Sequence, residues 1–217
     1  MQIPTPCVDA RSTDTRLAAR SLSWLPRPLP VRRAGSVQYL MDASFCSLPL
    51  YFALKGKHDY AMVNQAPFIQ AVRERVAEVA GGYDLVVYPE SRFPVLRQVT
   101  EGLANAAEMR KRSKAEVCVR TMGSRKWSKL ERQSQERAFS QMGDAFTINL
   151  IKSNQRQHYA PHLFEGIAVA PGARVLLLDD FIMSGMTLQA MSAGLGLQNC
   201  DAFGVFYQVP AATPVTQ

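Results

Sequence analysis

Val175–Thr187, which reads VLLLDDFIMSGMT, is the most informative stretch of this chain. Its first four residues form a continuous apolar run, which is typical of a strand covered on both faces. Two acids follow, and a short polar turn then leads into the amphipathic sequence of residues 188–191. The stretch therefore predicts a strand, a turn and the start of a helix.

The acid pair Asp179 and Asp180 is predicted to lie at the carboxyl end of this strand. In a doubly wound sheet, ligands bind outside that end of the strands. A buried carboxylate without a partner is strongly disfavoured unless it becomes protonated. Two adjacent acids at this place therefore favour contact with water, sugar hydroxyls or a metal ion.

The turn that follows, Ser184-Gly185-Met186-Thr187, has the composition of an anion-binding loop. It offers two hydroxyl groups, and Gly185 lets the backbone approach an anion closely. The start of the next helix adds free amide groups and a positive partial charge. Acids for a diol and donors for a phosphate, about one turn apart, fit a ribose 5-phosphate.

The rest of the chain indicates an α/β fold, with strands that alternate with helices. We predict strands at 84–89, 116–121, 145–151, 174–179 and 202–209. One helix is predicted from Pro67 to Gly81-Gly82, and another carries Leu96, Val99, Leu103 and Ala107 on one side. Residues 37–54 fit either a helix or a strand. This order predicts a mainly parallel, doubly wound sheet of about five strands, with helices on both faces.

The 217 residues, of which 47% are hydrophobic, suffice for one domain, which we place at 37–217. A proline-rich extension, residues 1–36, precedes it. The four cysteines are far apart and include no CxxC pair, so the spacing predicts neither a zinc ribbon nor a disulfide framework. The sequence has no apolar run of membrane-spanning length and no secretory signal pattern, so we expect a cytoplasmic protein without a membrane partner.

The formal net charge of +7 is concentrated in residues 110–137, where basic residues outnumber acidic ones. A basic surface attracts nucleic acids and phosphorylated small molecules alike. A solvated helix face would have the same composition. The sequence leaves these three interpretations open.

All thirteen positions of 175–187 resemble the signature of the type I phosphoribosyltransferases, which bind phosphoribosyl pyrophosphate (PRPP). Over about residues 48–209 the chain is similar to the ComF-type branch of that family. Residues 54–59, LKGKHD, resemble its Leu-Lys-Tyr-x-Gly-Asp element, and residues 136–146, ERAFSQMGDAF, resemble its Glu-Arg-x-x-Asn-x-x-x-Ala-Phe element. The resemblance implies a type I phosphoribosyltransferase-like fold.

The resemblance also implies an activity and a set of site residues. The activity is transfer of a phosphoribosyl group from PRPP to a nitrogen acceptor, with release of pyrophosphate. Asp179 and Asp180 are the implied catalytic residues, and they would orient the ribose diol and Mg²⁺. Glu90, Ser91 and Arg92 follow the first predicted strand, where relatives bind pyrophosphate. The residues implied to bind ribose 5-phosphate are Asp179, Asp180, Phe181, Ile182, Met183, Ser184, Gly185, Met186 and Thr187. Relatives often form homodimers.

Three departures from the family pattern keep a second function open. The Arg-Gly-Phe-Asn-Gln element expected near residues 89–98 is not recognisable, and residues 1–36 hold no four-cysteine zinc ribbon. Met183 stands where purine-salvage relatives have an aspartate, so we expect poor turnover of hypoxanthine and guanine. The alternative is a catalytically silent ComF-like protein that binds nucleotides or DNA. The sequence does not identify the acceptor.

Overall fold

The computed structural model describes residues 29–34, 37–41, 66–91, 93–182, 185–198 and 200–207. Within these ranges the strands are β1 (Leu29–Ala34), β2 (Val37–Met41), β3 (Leu85–Pro89), β4 (Ala106–Met109), β5 (Val175–Ile182) and β6 (Cys200–Tyr207). The α-helices are α1 (Ala66–Ala80), α2 (Val95–Thr100), α3 (Lys114–Gly123), α4 (Lys129–Ser140) and α5 (Met186–Gly194). Three short 3₁₀ helices, Ile148–Leu150, Ser153–His158 and Ala160–His162, lie between α4 and β5.

The strands form one sheet in the order β1-β2-β6-β5-β3-β4. The neighbours β4, β3, β5 and β6 are parallel, β2 joins β6 in parallel, and β1 pairs antiparallel with β2 at the edge. The sequence predicted this α/β architecture with a mainly parallel sheet. The expected number of about five strands is not confirmed. β1 precedes residue 37, at which the sequence placed the start of the domain.

Hydrophobic side chains cover both faces of the sheet. Successive strand residues point to opposite sides, and consecutive residues of β5 are hydrophobic and buried. Leu176 packs with α1 and α2 on one face, whereas Leu177 packs on the other face with α5 and residues of the segment 146–164. Both leucines are fully buried. A strand buried on both faces reads as a continuous apolar run, which is why β5 was recognisable in the sequence.

The predictions for β3, β5, β6 and α1 agree with the structure to within a few residues. α1 ends where Gly81 and Gly82 were expected to stop it; the two glycine amides donate to carbonyls of the last helical turn. β5 continues to Ile182 rather than ending at Asp179, because its pairing with β6 extends through Phe181 and Ile182. β6 begins at Cys200, two residues earlier than predicted.

The predicted strand at 116–121 is wrong, because these residues belong to helix α3. Ser113 caps this helix: its hydroxyl accepts from the Glu116 amide, while the Glu116 carboxylate accepts from the Ser113 amide. This reciprocal pairing stabilises a helix start. Val117 and Thr121 are buried at helical spacing, so the apparent alternation was coincidental.

The predicted strand at 145–151 is also wrong. Phe146 and Ile151 are buried, but the chain between them forms an irregular segment with the 3₁₀ helix Ile148–Leu150. Apolar residues here fill the space beside the sheet without joining it. The apolar residues of 145–151 therefore indicated correctly that part of this segment is buried, but the strand predicted from them is wrong.

The predicted helix through Leu96, Val99, Leu103 and Ala107 is correct only in its first half. α2 ends at Thr100, and Gly102 then adopts a φ of +89°, which reverses the chain. Ala107 lies in β4 instead. The ambiguous stretch 37–54 contains β2, and its residues 42–54 lie outside the described part of the chain. In the described ranges no helix has the length and apolar content needed to cross a membrane.

Candidate ligand-binding site

The carboxyl ends of β3 and β5 border a cavity of about 190 Å³. Parallel strands end at the same edge of a sheet, and polar residues that follow them converge there. Five residues that the sequence singled out, Glu90, Ser91, Asp179, Asp180 and Thr187, line this cavity. The other lining residues are Pro89, Leu96, Lys111, Phe146, Ile148, Leu163 and Phe164. The structure therefore brings these candidates together; their chemical roles stay predictions.

The two acids differ in their surroundings. Asp179 is only 5% exposed, whereas Asp180 is half-buried. The Asp180 amide donates a 2.9 Å hydrogen bond to Asp179 Oδ1, which partly offsets the cost of burying that carboxylate. Because β5 continues to Ile182, both acids lie inside the strand near its carboxyl end, where the pairing of β5 with β6 holds their backbone.

The turn into α5 is built around Gly185. Its φ of +70° is in the left-handed region, and its carbonyl accepts from the Gln189 amide in the first turn of the helix. Thr187 is half-buried and reaches the cavity. Met183 and Ser184 lie outside the described residues.

Three residues of the predicted phosphate-binding stretch have side chains in the hydrophobic core. Ile182 is buried and Met186 packs on the core face that contains α5. Phe181 packs on the opposite face, with α1 and α2. A direct contact of Ile182 with a ligand would therefore involve its backbone groups, whereas Phe181 and Met186 are only partly buried.

Glu90 joins the ends of β3 and β4. Its amide donates to the Met109 carbonyl at 2.8 Å, and its carboxylate Oε2 accepts from the Lys111 amide at 2.9 Å. The neighbouring Ser91 hydroxyl accepts from the Phe93 amide at 3.2 Å. Arg92 lies outside the described residues. These bonds fix the loop after β3 against the loop after β4.

Lys111 is a lining residue that sequence reasoning missed. Neighbouring atoms desolvate its ammonium and lower its pKa below the ordinary value of 10.5, although the side chain as a whole stays exposed; the attraction of Glu90 opposes this effect. The sequence predicts a helix through Ala107 rather than a strand, so it does not indicate that Lys111 lies at the sheet edge. Recognition of a strand at 106–109, directly before the basic residues 110–112, would have found it.

Leu163 and Phe164 form an apolar wall of the cavity that Asp179 and Asp180 also line. Its backbone is fixed to the loop after β4: the Arg112 amide donates to the Leu163 carbonyl, and the Glu165 amide donates to the Arg110 carbonyl, both at 2.9 Å. Phe164 lies between these two bonds and is buried. The cavity thus combines a polar floor with an apolar side, which suits a ligand of mixed character.

The described lining holds three carboxylates, those of Glu90, Asp179 and Asp180, and one ammonium, that of Lys111. No cluster of three or more metal-ligating His, Cys, Asp or Glu side chains occurs in the described ranges. Mg²⁺ is commonly held by one or two carboxylates and completes its shell with water and substrate phosphates. The acid pair fits this mode of binding.

In comparisons with known proteins, no protein-family model and no curated protein matches the chain. A functional conclusion therefore depends on the residues around the cavity and on the resemblance of residues 175–187 described above.

Proposed function

We propose that this protein binds PRPP or another ribose 5-phosphate and transfers the phosphoribosyl group to a nitrogen acceptor. One observation carries the proposal: an acid pair, a helix start with a left-handed glycine, and the loop after β3 border one cavity. The acid pair can accept hydrogen bonds from sugar hydroxyls, and the helix start can donate hydrogen bonds to a phosphate. The proposed fold is accordingly that of a type I phosphoribosyltransferase.

In the proposed complex, the ribose and its 5-phosphate occupy adjacent parts of the cavity. The carboxylates of Asp179 and Asp180 accept hydrogen bonds from the two ring hydroxyls. The backbone amides after Gly185 and the hydroxyl of Thr187 donate to the 5-phosphate, which the α5 dipole also favours. Charge-assisted hydrogen bonds of this kind are stronger than neutral ones.

The charge of the site supports a role for Mg²⁺. Three carboxylates and one ammonium give the described lining a net negative charge, which repels a polyphosphate. Mg²⁺ held by Asp179 and Asp180 would supply the missing positive charge.

In the proposed reaction the bond between C1 and the pyrophosphate oxygen breaks, a bond between C1 and the acceptor nitrogen forms, and the nitrogen proton passes to solvent. Pyrophosphate leaves towards Glu90, Ser91 and Lys111, where the ammonium of Lys111 offsets its charge. The apolar wall at Leu163 and Phe164 limits the access of water to C1.

The second candidate function is a catalytically silent protein that binds nucleotides or DNA. Lys111 is the one cation in the described lining of the cavity, and a pyrophosphate leaving group is usually held by several. This observation, together with Met183 in place of the expected aspartate, favours ligand binding without transfer.

Calorimetric titration with PRPP and Mg²⁺ tests the proposal. The variant Asp179→Asn/Asp180→Asn removes two charges but keeps the oxygen that accepts from the Asp180 amide. We expect its affinity for PRPP to fall at least about tenfold, since a hydrogen bond to a charged group contributes about 1.5–3 kcal/mol. The control Glu136→Gln/Asp144→Asn makes the same charge change at two exposed positions and should bind as the wild type does.

Pyrophosphate release, measured across a panel of bases and amines, then separates the two candidates. Release with one acceptor supports transfer. Tight PRPP binding without release under any acceptor supports the catalytically silent alternative. Absence of PRPP binding by the wild type in the presence of Mg²⁺ contradicts phosphoribosyl transfer from PRPP.

A further inference from the structure

A second cavity, of about 420 Å³, lies between α4 and the chain segment 150–155. It shares no lining residue with the cavity at the sheet edge. Its volume is within the range of about 300–1,000 Å³ that is usual for small-molecule sites. Its polar lining consists mainly of side-chain amides, and its charged residues are Arg137 and Lys152.

The charge of this second cavity is opposite to that of the first. Arg137 and Lys152 are both exposed, and neither forms an ion pair with another residue of the described ranges. No acid is among the lining residues. The cavity therefore presents two positive charges that have no acidic partner across it.

A buried chain of hydrogen bonds determines which atoms of the Gln135 and Gln155 side-chain amides donate and which accept. Tyr159 is fully buried, and its hydroxyl donates to Gln135 Oε1. Gln135 is 1% exposed, and its Nε2 donates to Gln155 Oε1 at 2.5 Å. The Tyr159 hydroxyl has no other acceptor among the described residues, so this direction is maintained along the chain. Gln155 Nε2 is thereby left as a hydrogen-bond donor at the cavity.

Two large apolar side chains complete the cavity and stay open to solvent. Leu130 is 79% exposed and Leu150 is 43% exposed. Leucines exposed in the same cavity as two cations provide contact for the apolar part of a ligand that also carries an anionic group. Because both leucines lie at the cavity, one ligand can cover them together.

We infer that this cavity binds a phosphate monoester with an apolar or aromatic body. A phosphate monoester carries a charge of about −1.5 to −2 at neutral pH, which matches the two cations, and its oxygens accept from both arginine and amide donors. Arg137 forms a bidentate contact with the phosphate, Lys152 and Gln155 Nε2 donate to its remaining oxygens, and the apolar body lies against Leu130 and Leu150. This site is independent of the function proposed for the first cavity.

The test is calorimetric titration with phenyl phosphate, which has an aromatic body and no ribose. We expect saturable binding to the wild type and at least tenfold weaker binding to Arg137→Ala/Lys152→Ala. The control Lys126→Ala/Lys129→Ala removes the same charge from exposed positions outside the cavity and should stay within twofold of the wild type. No saturable binding, or equal weakening of both variants, would overturn the inference.

A second pair of variants tests the polarity of the amide. Gln155→Glu keeps an acceptor for Gln135 and replaces the donor at the cavity with a carboxylate oxygen, so it should weaken phenyl phosphate binding at least tenfold. Gln157→Glu introduces the same charge at an exposed position of the same 3₁₀ helix and should change binding less than threefold. Equal effects of both variants would contradict the proposed contact.

Two further ligands test the stated chemistry. Inorganic phosphate lacks the apolar body and should bind at least fivefold more weakly than phenyl phosphate. Benzoate keeps the ring but has a single charge and should also bind more weakly. If benzoate binds as tightly as phenyl phosphate, the cavity is a general site for organic anions and the inference of a phosphate monoester is wrong.

Discussion

Replacement of Gly185 by alanine is the sharpest test of the turn that leads into α5. Gly185 has a φ of +70°, and Gly196, which follows the same helix, has a φ of +67°. A methyl group added to Gly196 meets nothing within 4 Å. The two glycines therefore allow the same backbone strain to be introduced at opposite ends of one helix.

The expected loss of stability follows from the backbone angle. An alanine in the left-handed region costs about 1–2 kcal/mol. The reduced freedom of the unfolded chain offsets about 0.4–1 kcal/mol of this cost. Gly196→Ala should therefore lower the free energy of unfolding by about 1 kcal/mol, or the melting temperature by about 2–4 °C. Gly185→Ala should lose at least as much, because Gly185 is buried.

The two variants should differ in ligand binding. If the amides after Gly185 hold a 5-phosphate, Gly185→Ala displaces them and weakens ribose 5-phosphate binding by about tenfold, the equivalent of one charge-assisted hydrogen bond. Gly196→Ala should bind as the wild type does. Urea unfolding measures stability, and calorimetry in the presence of Mg²⁺ measures affinity. Wild-type affinity in a folded Gly185→Ala variant would refute the assignment of this turn to phosphate binding.

Three further predictions concern the site and the core. Burial lowers the pKa of Lys111 from its ordinary value of 10.5, so affinity for PRPP should fall as the pH rises through the lowered pKa. Lys111→Arg, which stays charged, should show no such fall in calorimetry over the same pH range. Leu177→Ala should lower the free energy of unfolding in urea by about 2–5 kcal/mol because this side chain is fully buried, whereas Leu130→Ala, at an exposed position, should change it by less than about 0.5 kcal/mol. Ser128→Ala removes the cap of α4 and should cost about 1 kcal/mol by the same measurement; an unchanged midpoint would show that the capping hydrogen bonds to Glu131 do not contribute.

The sequence predicted the secondary structure correctly where the pattern of buried residues matches the backbone conformation. Residues 85–89 and 175–178 are short apolar runs rich in valine and leucine, which is typical of a strand buried on both faces. Residues 116–121 show the opposite case: the alternation suggested a strand, but the capping pair Ser113 and Glu116 stabilised a helix. A capping residue that precedes the alternating pattern, Ser113, therefore favoured a helix over the strand.

The candidate site was predictable where its residues are contiguous in sequence. Asp179, Asp180 and Thr187 fall within one stretch, and the topology of β5 places them at one cavity. Lys111 and Phe164 come from distant segments that meet through the pairing of residues 110–112 with 163–165. Such pairing depends on tertiary structure, so the local sequence of neither segment indicated that Phe164 lies opposite Lys111.

The position of β6 between β2 and β5 has a consequence for synthesis of the chain. β2 pairs with β6 from Val37 opposite Cys200 to Met41 opposite Gly204, although most of the chain separates them. On the ribosome, β2 and β5 both emerge before the strand that joins them. A nascent chain halted before residue 200 would expose two unpaired strand edges, and such edges recruit other chains. Translational arrest before residue 200 should therefore favour aggregation of the nascent chain.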